Sequence, residues 1–101
     1  MEFTVEITAA ALADAEDYIT FLRDKRNEPG YAERWWNGFV DEVLSLGKMP
    51  LRCARIPEHE HFEEELRHLI YGRHRIIFAV SGRIVAVLRV YHGAQRPLSK
   101  P

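Results

Sequence analysis

The chain is short of the residues that several common protein classes depend on. There is one cysteine, Cys53, in 101 residues. An internal disulfide is excluded, and with it a small scaffold held by disulfide bridges. In Leu51-Arg52-Cys53-Ala54 the cysteine reads as a partly buried small apolar residue rather than a nucleophile. No apolar run approaches the ~18 residues that a membrane helix needs. The start, Met1-Glu2-Phe3-Thr4-Val5-Glu6-Ile7, lacks the basic and then apolar stretch of a signal peptide. A cytoplasmic protein without a membrane partner is expected. There is no glycine-rich phosphate loop, no Ser-His-Asp signature and no paired catalytic carboxylates. No cofactor is expected.

What is present suits one domain spanning residues 1–101. Hydrophobic residues make up 47%, enough for a core and too many for a disordered chain. The net charge of -1 conceals an asymmetry. Residues 1–64 hold 14 acids against 7 bases. Residues 65–101 hold one acid, Glu65, and seven bases: Arg67, Arg73, Arg75, Arg83, Arg89, Arg96 and Lys100. Such a division predicts a directional surface, one side of which attracts an anionic partner. The alternative is that the two halves neutralise each other.

Phe3-Thr4-Val5-Glu6-Ile7 alternates apolar and polar residues, as a half-buried strand does. Thr8 is placed to cap a helix. From Ala9 to about Arg26, Leu12, Ala15, Ile19 and Leu22 recur at helical spacing. Asn27-Glu28-Pro29-Gly30 breaks the pattern. A second helix is predicted from about Tyr31 to Leu46, with a wide stripe including Trp35, Trp36, Phe39, Val40 and Val43. Gly47 and Pro50 end it. Trp36, Phe39, Val43, Leu12 and Ile19 are expected in the core. Leu66–Tyr71, Arg75–Val80 and Ile84–Tyr91 are strand-like runs separated by Gly72 and by Ser81-Gly82. The expected fold class is α+β: an N-terminal strand, a helical hairpin, then a three-stranded antiparallel meander, with the helices packed on one sheet face.

If Ser81-Gly82 is the last loop, Val80 faces Arg83 and Arg73 faces Val90. Arg73, Arg75 and His92 then share one end of one face, and His74, Arg89 and Tyr91 share that end of the other. Guanidinium groups so placed could clamp a phosphate, and a histidine beside them could move a proton. The competing expectation is that these arginines pair with acids of the helices or of the Glu63–Glu65 run. The sequence His59-Glu60-His61 offers metal ligands but no third ligand at a motif spacing, so a solvated loop is expected and no metal.

The stretch from Glu65 to Phe78, with Leu69-Ile70-Tyr71-Gly72-Arg73-His74-Arg75-Ile76, resembles the RelE/ParE superfamily of toxins from type II toxin–antitoxin systems. So does Val87-Leu88-Arg89-Val90-Tyr91-His92-Gly93-Ala94-Gln95-Arg96. Arg75 falls on the arginine of the family's Gly-x-Tyr-Arg pattern, with His74 in place of the tyrosine. His92 and Gly93 fall on its His-Gly. The family arginine two places later is Gln95 here, with Arg96 one step on, and the chain lacks the tail tyrosine of RelE itself. The resemblance implies a ParE-like plasmid stabilisation protein, a toxin that inhibits DNA gyrase by binding, without chemistry of its own, and is neutralised by a cognate antitoxin. A heterotetramer with that antitoxin is one assembly it implies. The alternative is a RelE-like, metal-independent endonuclease acting on mRNA in the ribosome, with Arg73, Arg75, Arg89 and His92 as its catalytic set. A third is an inactive scaffold that only binds antitoxin. In every case the expected contacts for target or antitoxin are Arg67, Arg73, Arg75, Arg89, Tyr91, His92 and Arg96.

Overall fold

The computed structural model describes residues 2–56 and 65–93. Strand β1 (Thr4–Ile7) leads into helix α1 (Ala9–Thr20), and a π-helical turn (Phe21–Lys25) prolongs α1. Helix α2 (Pro29–Ser45) runs back, followed by a single 3₁₀ turn at Pro50–Arg52. Strands β2 (Leu66–Tyr71), β3 (His74–Ser81) and β4 (Ile84–His92) complete the order. Thr8 caps α1 as expected: its hydroxyl oxygen accepts the Ala11 N–H at 3.2 Å. Pro29 opens α2 at a position where its missing N–H is no loss. Among the described residues no helix is long and apolar enough to cross a membrane.

The sheet order is β1-β4-β3-β2. The meander is antiparallel, and β1 joins its far edge parallel to β4. The helices cover one face. Between them and the sheet lie Leu22, Trp35, Phe39, Val43, Ile76, Phe78, Val85, Val87 and Val90, all buried. Phe39 and Val43 sit there as expected. Trp35 rather than Trp36 is the buried tryptophan, and Leu12, Trp36 and Ile19 are half-buried. The expected stripe was wide enough to admit either tryptophan, and the rotation of α2 selects the one that stacks on Phe39, with ring centroids 5.2 Å apart. The opposite face carries a second, smaller core of Ile56, Leu66, Ile77 and Ala79.

The last hairpin differs from its expected register. Ser81 pairs with Ile84, so the loop is Gly82-Arg83, and Gly82 takes φ +59°. The preceding loop is built alike: Tyr71 pairs with His74 across Gly72-Arg73, and Gly72 takes φ +58°. Glycine opens both loops because only it enters this region without strain. Further along, Phe78 pairs with Val87 but Ile77 pairs with Arg89, so Leu88 is the extra residue of a β-bulge. One inserted residue exchanges the faces of everything beyond it. Val90 joins the helix-covered core, while Tyr91 and Leu88 pack on the second core. His92 pairs with His74, and Arg75 pairs with Tyr91. The expected partition, Arg73, Arg75 and His92 against His74, Arg89 and Tyr91, is therefore corrected.

The bulge lies where the outer edge of β4 changes partner. β1 stops at Ile7, leaving the outer edge of β4 open beyond Val87. The turn into α1 fills that edge: the Thr8 N–H donates to the Val87 carbonyl at 3.0 Å, and the Thr8 hydroxyl donates to the Leu88 carbonyl at 3.1 Å.

Candidate functional site

The end of the sheet that carries the Gly72-Arg73 loop and the end of β4 lies beside the turn of the helical hairpin. Here His74 is buried, 5% exposed, among rings. Its ring centroid is 4.4 Å from Tyr18, 5.1 Å from Trp35 and 5.1 Å from His92. Burial, and then the proximity of His92, push its pKa down to about 4. His74 is therefore a neutral ring at physiological pH. Tyr71 crosses the same cluster, and its hydroxyl donates to the Trp35 carbonyl at 2.9 Å. It reaches that carbonyl over Gly38, where a Cβ would collide with the tyrosine hydroxyl. Burial pushes the Tyr71 and Tyr18 phenols above their ordinary range, with Tyr31 the next contributor in both.

Three depressions open around this cluster. One of about 360 Å³ is lined by Arg73, His74, Arg75 and His92, with Ile70, Gly72 and Gly93. Arg73, Arg75 and His92 thus do border one cavity, around the rim of the sheet rather than across one face of it. Arg73 is exposed, and its carbonyl accepts the Gly93 N–H. Arg75 donates from Nε to His68 Nδ1 at 3.2 Å. The other two depressions lie towards the helices, and Tyr18, Tyr31 and Arg73 border both.

Arg89 stands apart. Its Nε and Nη2 donate to the Asp14 carboxylate at 2.8 and 2.9 Å, and the same carboxylate accepts the Val90 N–H at 2.8 Å. The hydrogen bond to Asp14 is the main reason that the Arg89 pKa is raised. The guanidinium also lies 5.0 Å from the centroid of the Tyr91 ring. Arg67 is turned to a structural task. Its Nη1 donates to the Cys53 carbonyl at 2.6 Å and its Nη2 pairs with Glu65, which ties residues 53–56 to the edge of β2. Cys53 is buried at 8% exposure, and desolvation raises its pKa, which disfavours the reactive thiolate. Among the described residues no group of three or more His, Cys, Asp or Glu side chains could hold a metal ion. His59, His61, Gln95 and Arg96 lie outside the described residues.

The description "ParE toxin of type II toxin-antitoxin system, parDE" matches residues 5–97. The chain belongs to the ParE toxin family. Among solved structures it is similar to a chain of the "Chromosomal ParDE TA system from P. aeruginosa". The two are 19% identical, with a TM-score of 0.74 over 90% of this chain and 96% of that one, a likeness of fold. No curated protein matches it.

The ParE-family fold thus gathers Arg73, His74, Arg75 and His92 at one sheet end, and assigns Arg89 and Arg67 to internal bonds. The positive charge of the C-terminal part is spread out: Arg73 and Arg83 occupy loops at opposite ends of β3. Sequence reasoning missed Asp14 and the ring cluster of Tyr18, Tyr31 and Tyr71. Tyr18 and Phe21, spaced three apart near the end of α1, were the available signal.

Proposed function

We propose that this ParE-family toxin works in the cytoplasm by binding and inhibiting DNA gyrase, and that a cognate antitoxin holds it in check. The Asp14–Arg89 pair carries this reading. A nuclease of this layout would use Arg73, Arg75 and Arg89 to hold phosphate and His92 to move a proton. Here Asp14 takes the Nε–Nη2 edge of Arg89, one of the edges through which a guanidinium clamps phosphate, and sets a carboxylate where a phosphate would lie. Inhibition by binding needs only surface, and Arg73, Arg75, Tyr91 and His92 supply it around the sheet end, with Arg96 as a further proposed contact. An acidic antitoxin segment ordering along this basic half would cover the same residues.

A second reading, ribosome-dependent mRNA cleavage, draws on the cavity shared by Arg73, Arg75 and His92. Expression of the toxin without antitoxin separates the two. Supercoiling by purified gyrase should fall on addition of the toxin, while translation in a cell-free extract continues. Cleaved mRNA in ribosome complexes, with gyrase unaffected, would reverse the assignment.

A further inference from the structure

Between the helical hairpin and the Gly72-Arg73 loop lies a cleft that shares Arg73 and His92 with the surface of the gyrase reading but is otherwise built from the helices. Its two adjoining cavities measure about 320 and 610 Å³, within the size range of small-molecule sites. Among the described residues no acid lines either cavity, whereas Arg26, Arg34 and Arg73 do. Arg26 is paired with Glu28 at 3.6 Å, and both side chains are exposed. Arg34 and Arg73 have no carboxylate partner among the described residues.

The cleft also carries exposed aromatic side chains. Tyr31 and Phe21 are 42% and 44% exposed. Tyr18 stacks on Phe21 with centroids 6.2 Å apart and planes 23° from parallel, and the Arg34 guanidinium lies 5.9 Å from the Tyr31 centroid. The π-helical turn begins at Phe21, and such turns are rare and often found at functional sites. Exposed aromatic side chains beside arginines match a ligand with two parts: a planar ring that stacks, and an anion that accepts a guanidinium fork. Carboxylates alone supply the anion but not the planar face.

We infer that this cleft is a nucleotide-binding site, in which Tyr31, Tyr18 and Phe21 stack on the base and Arg34 and Arg73 hold the phosphate. The nucleotide is either free or the end of a nucleic-acid strand. The inference does not depend on the target of the toxin.

Calorimetric titration of the purified full chain tests it, with AMP, ribose 5-phosphate and a 5′-phosphorylated oligothymidylate as probes. AMP should bind, and ribose 5-phosphate should bind about tenfold more weakly or worse, having no base to stack. The double variant Arg34→Gln/Arg73→Gln should lose about tenfold or more in AMP affinity. Tyr31→Leu should weaken AMP but leave ribose 5-phosphate unchanged. Tyr31, Arg34 and Arg73 are exposed, so these variants should fold, which circular dichroism checks. Arg83→Gln, at the other end of β3, should bind AMP as the parent does. Tighter binding of the oligonucleotide than of AMP would identify a strand end as the source, and the reverse a free nucleotide. Silence towards AMP and oligonucleotide up to about 10 mM would overturn the proposal, as would affinities indifferent to Arg34 and Arg73. Equal affinity for AMP and ribose 5-phosphate would also overturn it, leaving a bare anion site. An acidic peptide that binds where AMP does not would overturn it in favour of a protein partner. No gyrase, ribosome or antitoxin is in the assay, so its failure is separate from failure of the gyrase reading.

Discussion

Asp14 on α1 holds Arg89 and the neighbouring backbone of β4 with one carboxylate, taking two guanidinium hydrogen bonds and the Val90 N–H. The side chain of Asp14 is 17% exposed and that of Arg89 is 42% exposed. The two partners should therefore respond differently to removal. Asp14→Ala strips a partner from a strand-edge N–H and should cost about 1–3 kcal/mol. Arg89→Met removes a solvent-screened ion pair and should cost less than about 1 kcal/mol. Urea unfolding of both variants checks this, and equal losses would mean that the Val90 bond contributes little.

Phe39 is 2% exposed and stacks on Trp35 between helix and sheet. Phe39→Ala should destabilise the protein by about 3–5 kcal/mol, since the surrounding rings cannot close the void. A loss under about 1 kcal/mol would contradict the packing described here.

Gly38 lies within α2, where alanine ordinarily stabilises by roughly 0.5–1 kcal/mol. Here the sign should reverse. The added methyl would displace the Tyr71 hydroxyl from the Trp35 carbonyl, at a cost of about 1–3 kcal/mol. Tyr71→Leu in the Gly38→Ala background should recover part of the loss. A melting temperature for Gly38→Ala above that of the parent would refute the contact.

His74 makes stability depend on pH. Its pKa falls from the ordinary 6.5 to about 4 in the folded chain, so the unfolded chain binds the extra proton between those values. Stability is full above pH 6.5 and is lost as pH falls towards 4. Because His74 is buried among Tyr18, Trp35 and His92, the loss from about pH 7 to about pH 4.5 should be on the order of 2–3 kcal/mol. His74→Phe should lack this component, and unfolding curves at the two pH values compare the slopes. Parallel losses in parent and variant would assign the pH dependence to other groups.

The histidine at the end of β4 separates binding from chemistry. If toxicity comes from binding gyrase, His92→Gln removes at most a contact or two, each contributing about 0.5–1.5 kcal/mol, and growth arrest should persist. Loss of an acid or base would instead lower a nuclease about 10²–10⁴-fold. A folded but harmless His92→Gln protein, with a parent that cleaves mRNA on ribosomes, would reverse the functional assignment. His92 contacts the His74 and Tyr18 rings, so a thermal melt must accompany the growth assay.

Element order was legible because it depends on local signals. The Leu12, Ala15, Ile19 and Leu22 spacing marks α1, Thr8 caps it, and Pro29 opens α2. The hairpin loops were legible as glycine-bearing gaps, but not to the residue: in both, glycine takes the first loop position and arginine the second. The bulge at Leu88 was hidden because the groups that bond its backbone, on Thr8 and Asp14, are remote in sequence. That one residue determines which ring His74 meets. It is why the residues of the candidate site were recognised while their faces were not. The choice of Trp35 over Trp36 likewise depends on the rotation of α2, which a broad apolar stripe leaves open.

The parallel pairing of β1 with β4 has a consequence for the order of events during synthesis. Thr8 bonds to Leu88, 80 residues away, and Thr4–Ile7 pair along the sheet with Ile84–Val87 of β4. Joining segments so distant is entropically late, whatever the local helices do beforehand. While β4 is still inside the ribosome, the nascent chain can form its helical hairpin but cannot close its sheet. The rim of Arg73, Arg75 and His92 is built from the turn before β3 and the end of β4, so it takes shape only at that closure. Until β4 has joined the sheet, the chain presents no such rim.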